Sequence, residues 1–282
     1  MPLGAFRINT LAKTQAVAAG PSGLEAIEIN LVKAPGSNNI STQPASATGE
    51  FTLAFWFKYG AGSTGENTIV LNLNEGTSGG VGNALIFCEM YQGRFRIGVR
   101  DSTNNFRCDM LWADSNSTGT AESTFGNGHW DGNWHHYALA VNSSDPGITF
   151  YADGVARTNW AELAGRITAG NKSEFNVYDS FNLLSQWNDA QGGNNTFITQ
   201  LWMDDTEIDL STNISKFYSS GAVDMGTDGT ASGLSQPLIF HTGGYSDFFT
   251  KGGDTSSFNY TVTKDTTNGD AIDVSADDGP QF

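Results

Sequence analysis

The stretch NWHHYALAVNSSDPGITFYADGVARTNW, residues 133–160, constrains the fold more than any other part of the chain. Tyr137, Leu139 and Val141 alternate along one run, and Ile148, Phe150 and Ala152 repeat the pattern after a turn at Ser143–Gly147. A period of two places successive side chains on opposite faces of a strand, so each run offers one apolar face to a core. Asp153-Gly154 then supplies the positive φ angles of a two-residue hairpin turn. The stretch reads as two linked antiparallel hairpins.

The same period recurs along the chain. In FTLAFWFKY (51–59), Phe51, Leu53, Phe55 and Phe57 share one face, and Thr52, Ala54, Trp56 and Lys58 the other. AIEINLV (26–32), NTIVLNLNE (67–75), ALIFCEMY (84–91), GRFRIGVRD (93–101), FRCDMLWA (106–113), FNVYDSFNLLSQW (175–187) and TFITQLWMDD (196–205) follow at strand-and-turn spacing. ISKFYSSG (214–221) predicts one short helical turn ended by Gly221. The remainder, rich in Gly, Thr, Asp and Ser, holds the short apolar pieces PLIF (237–240), FNYTVT (258–263) and AIDVS (271–275). We expect it to wrap or pair with the strands rather than form a second domain. Thirty-four glycines and 12% aromatic residues in 282, with helix formers scarce, agree with an all-β sandwich or barrel.

Acids outnumber bases 30 to 14, and a net charge of −16 argues against nucleic acid as a partner, since its phosphates would be repelled. No apolar run approaches the ~20 residues of a membrane span, and MPLGAFRINTLAK lacks the apolar centre of a secretory signal, so we expect no membrane partner and a cytoplasmic origin. The first 20 residues carry Arg7 and Lys13, and no acid precedes Glu25. Two readings stand for this basic, apolar start: an attachment arm, or a frayed end or first edge strand. Cys88 and Cys108 are expected as free thiols, with one disulfide as the alternative.

The order FTLAFWFK, GNWHHYALAV, ITFYADGVA and FITQLWMDDTEIDLSTNISKFY resembles the laminin-G-like, or concanavalin A-like lectin and glucanase, jelly roll over roughly residues 20–220. The resemblance implies a two-sheet antiparallel jelly-roll sandwich, residues 21–221, with an N-terminal arm (1–20) and a C-terminal extension (222–282) packed on it. Trp56 and Trp134 are large enough to fill the ~10 Å between two such sheets. MPLGAFRINTLAK and AVDMGTDGTASGLSQPLIFHTGG (222–244) resemble the termini of lectin-like structural proteins of tailed bacteriophages. That resemblance implies a virion protein, assembled in the host cytoplasm and displayed as a homo-oligomer in capsid decoration or on the tail; the alternative is a soluble carbohydrate-binding lectin or adhesion domain. Phe6, Arg7, Leu11 and Lys13 would then attach it to other virion proteins, and a host surface glycan would be an outward partner.

Glu207 and Asp209, in WMDDTEIDLSTN (202–213), look like the acid pair of a glycosidase. Superfamily members that cut β-glucans carry a third carboxylate two or three residues further on, whereas this chain has Ser211 and Thr212. We therefore expect no catalytic residues, and Asp209, Ser211 or Thr212 as a helix cap. His135 and His136 are adjacent, so they point to opposite faces and cannot both hold one metal. No cofactor is expected. Calcium on loop carboxylates is the alternative, with Asp131, Asp145, Asp179, Asp189, Asp204 and Asp205 as candidates, none of them in an EF-hand loop. A sugar would stack on an exposed aromatic ring amid amides and carboxylates, and Trp112, Trp130, Trp160 and Trp187 stand in such company. The competing reading for these four is that they cover the sandwich ends or touch neighbouring subunits.

Overall fold

The computed structural model describes residues 23–28, 38–42, 50–59, 67–74, 84–91, 94–100, 106–112, 129, 131–142, 147–158, 160–165, 180–186, 196–248, 250–260 and 272–282. Its strands are β1 (Ala26–Glu28), β2 (Asn38–Thr42), β3 (Phe51–Tyr59), β4 (Asn67–Asn74), β5 (Ala84–Tyr91), β6 (Arg94–Arg100), β7 (Phe106–Trp112) and β8 (His135–Val141). There follow β9 (Ile148–Ala152), β10 (Val155–Arg157), β11 (Trp160–Gly165), β12 (Ser180–Gln186), β13 (Thr196–Asp204), β14 (Ile239–His241), β15 (Asn259–Tyr260) and β16 (Ile272–Val274). Two antiparallel sheets of eight strands result. One runs β10-β9-β8-β3-β13-β1-β16 with β14 also on β13, and the other β11-β7-β6-β5-β4-β12-β2-β15. Among the described residues no helix is long and apolar enough to cross a membrane.

The alternation in β3, β8 and β9 does what its period dictates. Phe51, Leu53, Phe55, Phe57, Tyr137, Leu139 and Phe150 point into one buried cluster with Cys88, Met90, Phe95 and Trp112 of the second sheet. Rings from both sheets interlock there: Phe95 stacks on Phe150 at 5.1 Å, and Phe55 lies 6.0 Å from Phe95. The jelly-roll sandwich is thus held by aromatic contacts across the gap between sheets.

The opposite face of the first sheet is also covered. Ala54, Ala138 and Ala140 leave room for a third layer, in which Leu210, Phe217 and Met225 bury themselves against Trp202 and Phe240 of the sheet. This corrects one expectation. Trp56 and Trp134 do not fill the gap between the sheets: Trp56 packs on this outer face with Leu24 and Ala222, beside a partly buried Trp134. Lys58 lies 5.1 Å from the Trp134 ring and 4.5 Å from Phe197.

The β9–β10 connection is the two-residue turn that Asp153-Gly154 predicts, with φ of 50° and 71°. Gly154 is needed twice over, because a Cβ there would also stand 2.6 Å from the Tyr218 ring. The helical turn starts earlier than expected, as a short helix α1 (Leu210–Asn213) running into a 3-10 turn (Ile214–Lys216). The left-handed residue that follows is Ser220, φ 59°, rather than Gly221. Cys88 is buried in the inter-sheet core. β5 and β7 both pair with β6, with Cys88 opposite Ile97 and Cys108 opposite Val99. Two inter-strand spacings of about 4.8 Å separate them, beyond the reach of a disulfide.

Candidate functional site

A bulge in β13 creates the main candidate site. Pairing with β3 shifts register between Thr199 and Trp202, and Gln200 takes a φ of 48°. One extra residue reverses which side chains face which way. Ile198 faces the inter-sheet core, and after the bulge so do Leu201 and Met203, which leaves Trp202 on the outer face. The Gln200 amide donates to the Val223 carbonyl at 2.7 Å and fastens the bulge to the third layer.

Beyond Asp204 the chain leaves the sheet and closes over a cavity of about 500 Å³. Thr52 of β3 holds the exit segment. Its hydroxyl donates to the Thr206 carbonyl at 2.8 Å and accepts from the Ile208 N–H at 2.8 Å. Trp202, Asp204, Glu207, Asp209, Asn213 and Lys216 line the space, with Ile208 and Leu234 supplying apolar surface. Trp202 is only 1% exposed, and its indole N–H has no hydrogen-bond partner. A buried donor left unpaired costs about 1–3 kcal/mol. Asp204 accepts from the Thr206 hydroxyl at 2.6 Å, and burial, the largest influence on it, raises its carboxyl above the ordinary range.

Glu207 and Asp209 do not project from one strand, since β13 ends at Asp204. Glu207 accepts from the Asn142 amide at 2.7 Å. Asp209 caps α1, accepting from the Ser211 N–H at 2.9 Å and the Ser211 hydroxyl at 2.6 Å. Hydrogen bonds from Ser211 hold the Asp209 carboxyl below its usual value. It stays a charged acceptor, as a helix N-cap requires.

A second cluster forms where residues 129–133 meet the β9–β10 turn. His135 reaches Asp153 Oδ2 from Nδ1 at 2.7 Å and Asp131 Oδ1 from Nε2 at 3.0 Å. Both partners are carboxylates, so both ring nitrogens donate and the ring is an imidazolium. Burial alone would lower its pKa, but the bonds to Asp153 and Asp131 outweigh it and the net shift is upward. For Asp131, burial is likewise outweighed by bonds from Asn133 and His135, which bring the carboxyl to about 2. Asp153 Oδ1 also accepts from the His136 N–H at 2.8 Å.

His129, His135 and Asp153 form the one group of three potential metal ligands among the described residues. The two rings are stacked, with centroids 3.7 Å apart and planes 18° from parallel. An imidazole binds a metal in its own plane, and one ion cannot lie in two nearly parallel planes at this separation. The cluster is therefore an ion-paired clasp. Addition of Zn²⁺ is expected to leave the melting temperature unchanged, which differential scanning fluorimetry would check; a rise would show that a ring turns to chelate.

No family model matches the chain, and no curated protein does. Among solved structures it is similar to the receptor-binding domain of botulinum neurotoxin C/D mosaic serotype, at 10% identity and a TM-score of 0.40 over 58% of this chain and 35% of that one. The serotype D ligand-binding domain in complex with N-acetylneuraminic acid aligns at 13% identity and 0.39, over 68% and 39%. The serotype D receptor-binding domain aligns at 12% and 0.39, over 62% and 38%. The chain spans little more than a third of these structures, and likeness at this level says nothing about its ligand.

The aromatic residues singled out in the sequence are not brought together. Trp112 is buried in the inter-sheet core, edge-on to His129 at 5.3 Å, and presents no ring to a sugar. Trp160 pairs with Trp112 across β11 and β7. Trp130, Trp187 and the arm residues Phe6, Arg7, Leu11 and Lys13 lie outside the described residues, as do Asp145, Asp179 and Asp189. Of the remaining calcium candidates, Asp131 belongs to the clasp, Asp204 lines the cavity, and Asp205 follows directly on the end of β13. Sequence reading missed Trp202 as a site residue. The signal was present in TFITQLWMDD, where apolar Ile198, Leu201 and Met203 break the period of two.

Proposed function

We propose that this protein is a non-catalytic carbohydrate-binding module whose saccharide site is the cavity beside Trp202. The observation that carries the reading is a cavity that sets carboxylates, an amide and an ammonium group beside the apolar side chains of Ile208 and Leu234. Hydroxyl groups of a sugar both donate and accept, so one ring can give its protons to Glu207 or Asp209 and accept from Asn213 or Lys216. Ile208 and Leu234 offer apolar contact for the C–H faces. About 500 Å³ lies in the usual range of small-molecule sites. Against catalysis, Glu207 is held by Asn142 and Asp209 by its helix, and no third carboxylate follows at Ser211 or Thr212.

Glu207→Ala tests the reading. It removes an exposed carboxylate and its bond from Asn142, so folding stability is expected to fall by no more than about 1 kcal/mol. Binding of the chain's best ligand on a glycan array, followed by calorimetry, is expected to weaken about tenfold, the upper range for one hydrogen bond. Unchanged affinity would reject the cavity as the site. As setting we propose display on a phage particle, which rests on the resemblance of the two termini. Unimpaired incorporation of a chain lacking residues 1–20 into particles would count against it.

A further inference from the structure

We propose that a second groove, where the two ends of the described chain meet, is the seat of the chain's own residues 1–22. The groove has a volume of about 450 Å³ and shares no lining residue with the cavity beside Trp202. Its described lining sets apolar Leu24, Ala276 and Phe282 beside the carboxylates of Glu25, Asp224 and Asp247. It includes no cationic side chain, and among the described residues none of the three acids is in an ion pair. Phe282 is 53% exposed, yet its backbone is held in place. The Ala222 N–H donates to the Gln281 carbonyl at 2.6 Å, the Leu24 N–H to the Pro280 carbonyl at 2.9 Å, and Gly23 pairs with Gln281 in an antiparallel bridge. The ring thus stands as a fixed apolar wall on the groove.

Connectivity and charge name the occupant. Antiparallel pairing of Gly23 with Gln281, continued by one residue, sets residue 22 opposite Phe282, so the chain leads straight into the groove. Residues 1–22 carry Leu3, Phe6, Ile8, Leu11 and Val17 together with Arg7 and Lys13, and no acid. Apolar and cationic side chains on the segment match apolar and anionic ones on the groove. Lys13 stands ten residues before Gly23, a reach of up to ~33 Å that exceeds the span of a groove this size. A tether so short gives an effective concentration on the order of millimolar, which favours the same chain's segment over that of a second copy. Attachment of Arg7 and Lys13 to any other protein then requires their release from this groove.

Trypsin cleavage of the full chain after Arg7 and Lys13, timed by mass spectrometry, reads how much of the segment is unseated. It is expected to run at least about tenfold slower than cleavage of a free peptide of residues 1–20. Glu25→Gln, Asp224→Asn and Asp247→Asn combined fall on exposed residues, and the second keeps an acceptor for the Gly226 N–H. Together they are expected to speed cleavage about fivefold, as is raised salt on the unaltered chain. Phe282→Ala is expected to speed it by a similar factor at any salt, through lost apolar contact. Unchanged far-UV circular dichroism shows that each variant is folded. Cleavage as fast as that of the peptide overturns the proposal, because the segment is then never seated. Slow cleavage that none of these changes accelerates also overturns it, because the segment is then held elsewhere. Protection that grows with protein concentration seats a second copy's segment and overturns the assignment to the same chain.

Discussion

Replacing Phe55 by alanine is expected to cost about 3–5 kcal/mol of folding stability. For a chain of this size that lowers the melting temperature by on the order of 10 °C, readable by circular dichroism. The side chain is 1% exposed, and its ring lies 5.5 Å from Tyr137, 6.0 Å from Phe95 and 6.4 Å from Phe57. Phe57 and Phe55 belong to β3, whereas Phe95 comes from the other sheet, so the ring is a contact through which the two sheets hold each other. The void it leaves is walled by strands pinned in register on both sides, and such walls collapse little. Val155→Ala serves as the comparison, because Val155 is 52% exposed and its truncation should change stability by less than about 0.5 kcal/mol. A loss below about 1 kcal/mol for Phe55→Ala would mean that the core lies elsewhere.

Phe55 was also legible in advance, and the reason shows how far sequence reaches here. A strict period of two, as in FTLAFWFKY and HHYALAV, fixes which residues share a face whatever the neighbours are. Asp153-Gly154 fixed a turn because few other residues tolerate positive φ at both positions. What could not be read was which second surface each face would meet. Trp56 is on the predicted side of β3, but that side meets the third layer rather than the second sheet, and nothing local to residue 56 encodes residue 222. The cavity was obscured for a related reason. The acid pair in WMDDTEIDLSTN drew attention as a catalytic pattern, while the feature that shapes the site is the bulge at Gln200, set by pairing with β3 and by the Val223 carbonyl. His129 likewise joins the clasp only because residues 129–133 fold back over His135, a contact that short-range periodicity does not report.

The clasp makes stability depend on pH with a sign that can be worked out. His135 has a raised pKa, so its contribution is complete below about pH 6.5 and is lost as pH rises through the folded value. Asp131 is lowered to about 2 and Asp153 is lowered as well, so theirs is complete above about pH 3.8 and is lost as pH falls towards about 2. The clasp therefore holds most firmly between about pH 4 and 6.5. His241 acts in the opposite sense. Burial takes it to about 4, outweighing its 2.6 Å bond to the Phe248 carbonyl, so it withdraws stability as pH falls from about 6.5 towards 4. Comparing variants at Asp153 cancels His241; His136, which burial takes to about 3 against the pull of Asp153, is neutral in the fold from about pH 5.5 to 9 and drops out as well, which leaves the clasp. Asp153→Ala removes the acceptors of His135 and of the His136 N–H and puts a residue with a Cβ and no local hydrogen bond at φ 50°, for an expected loss of about 2–3 kcal/mol near pH 5.5. Asp153→Asn tolerates that backbone and still accepts from His136, so it should lose less, and only through the charge on His135. In both variants burial is then less opposed, and the His135 ring proton, followed by NMR, should titrate at a lower pH than in the parent. The deficit of either variant should be largest near pH 5.5 and shrink towards pH 9. A deficit that is the same at both ends would mean that Asp153 acts through its turn geometry alone, and that the two hydrogen bonds on His135 contribute nothing to the hold.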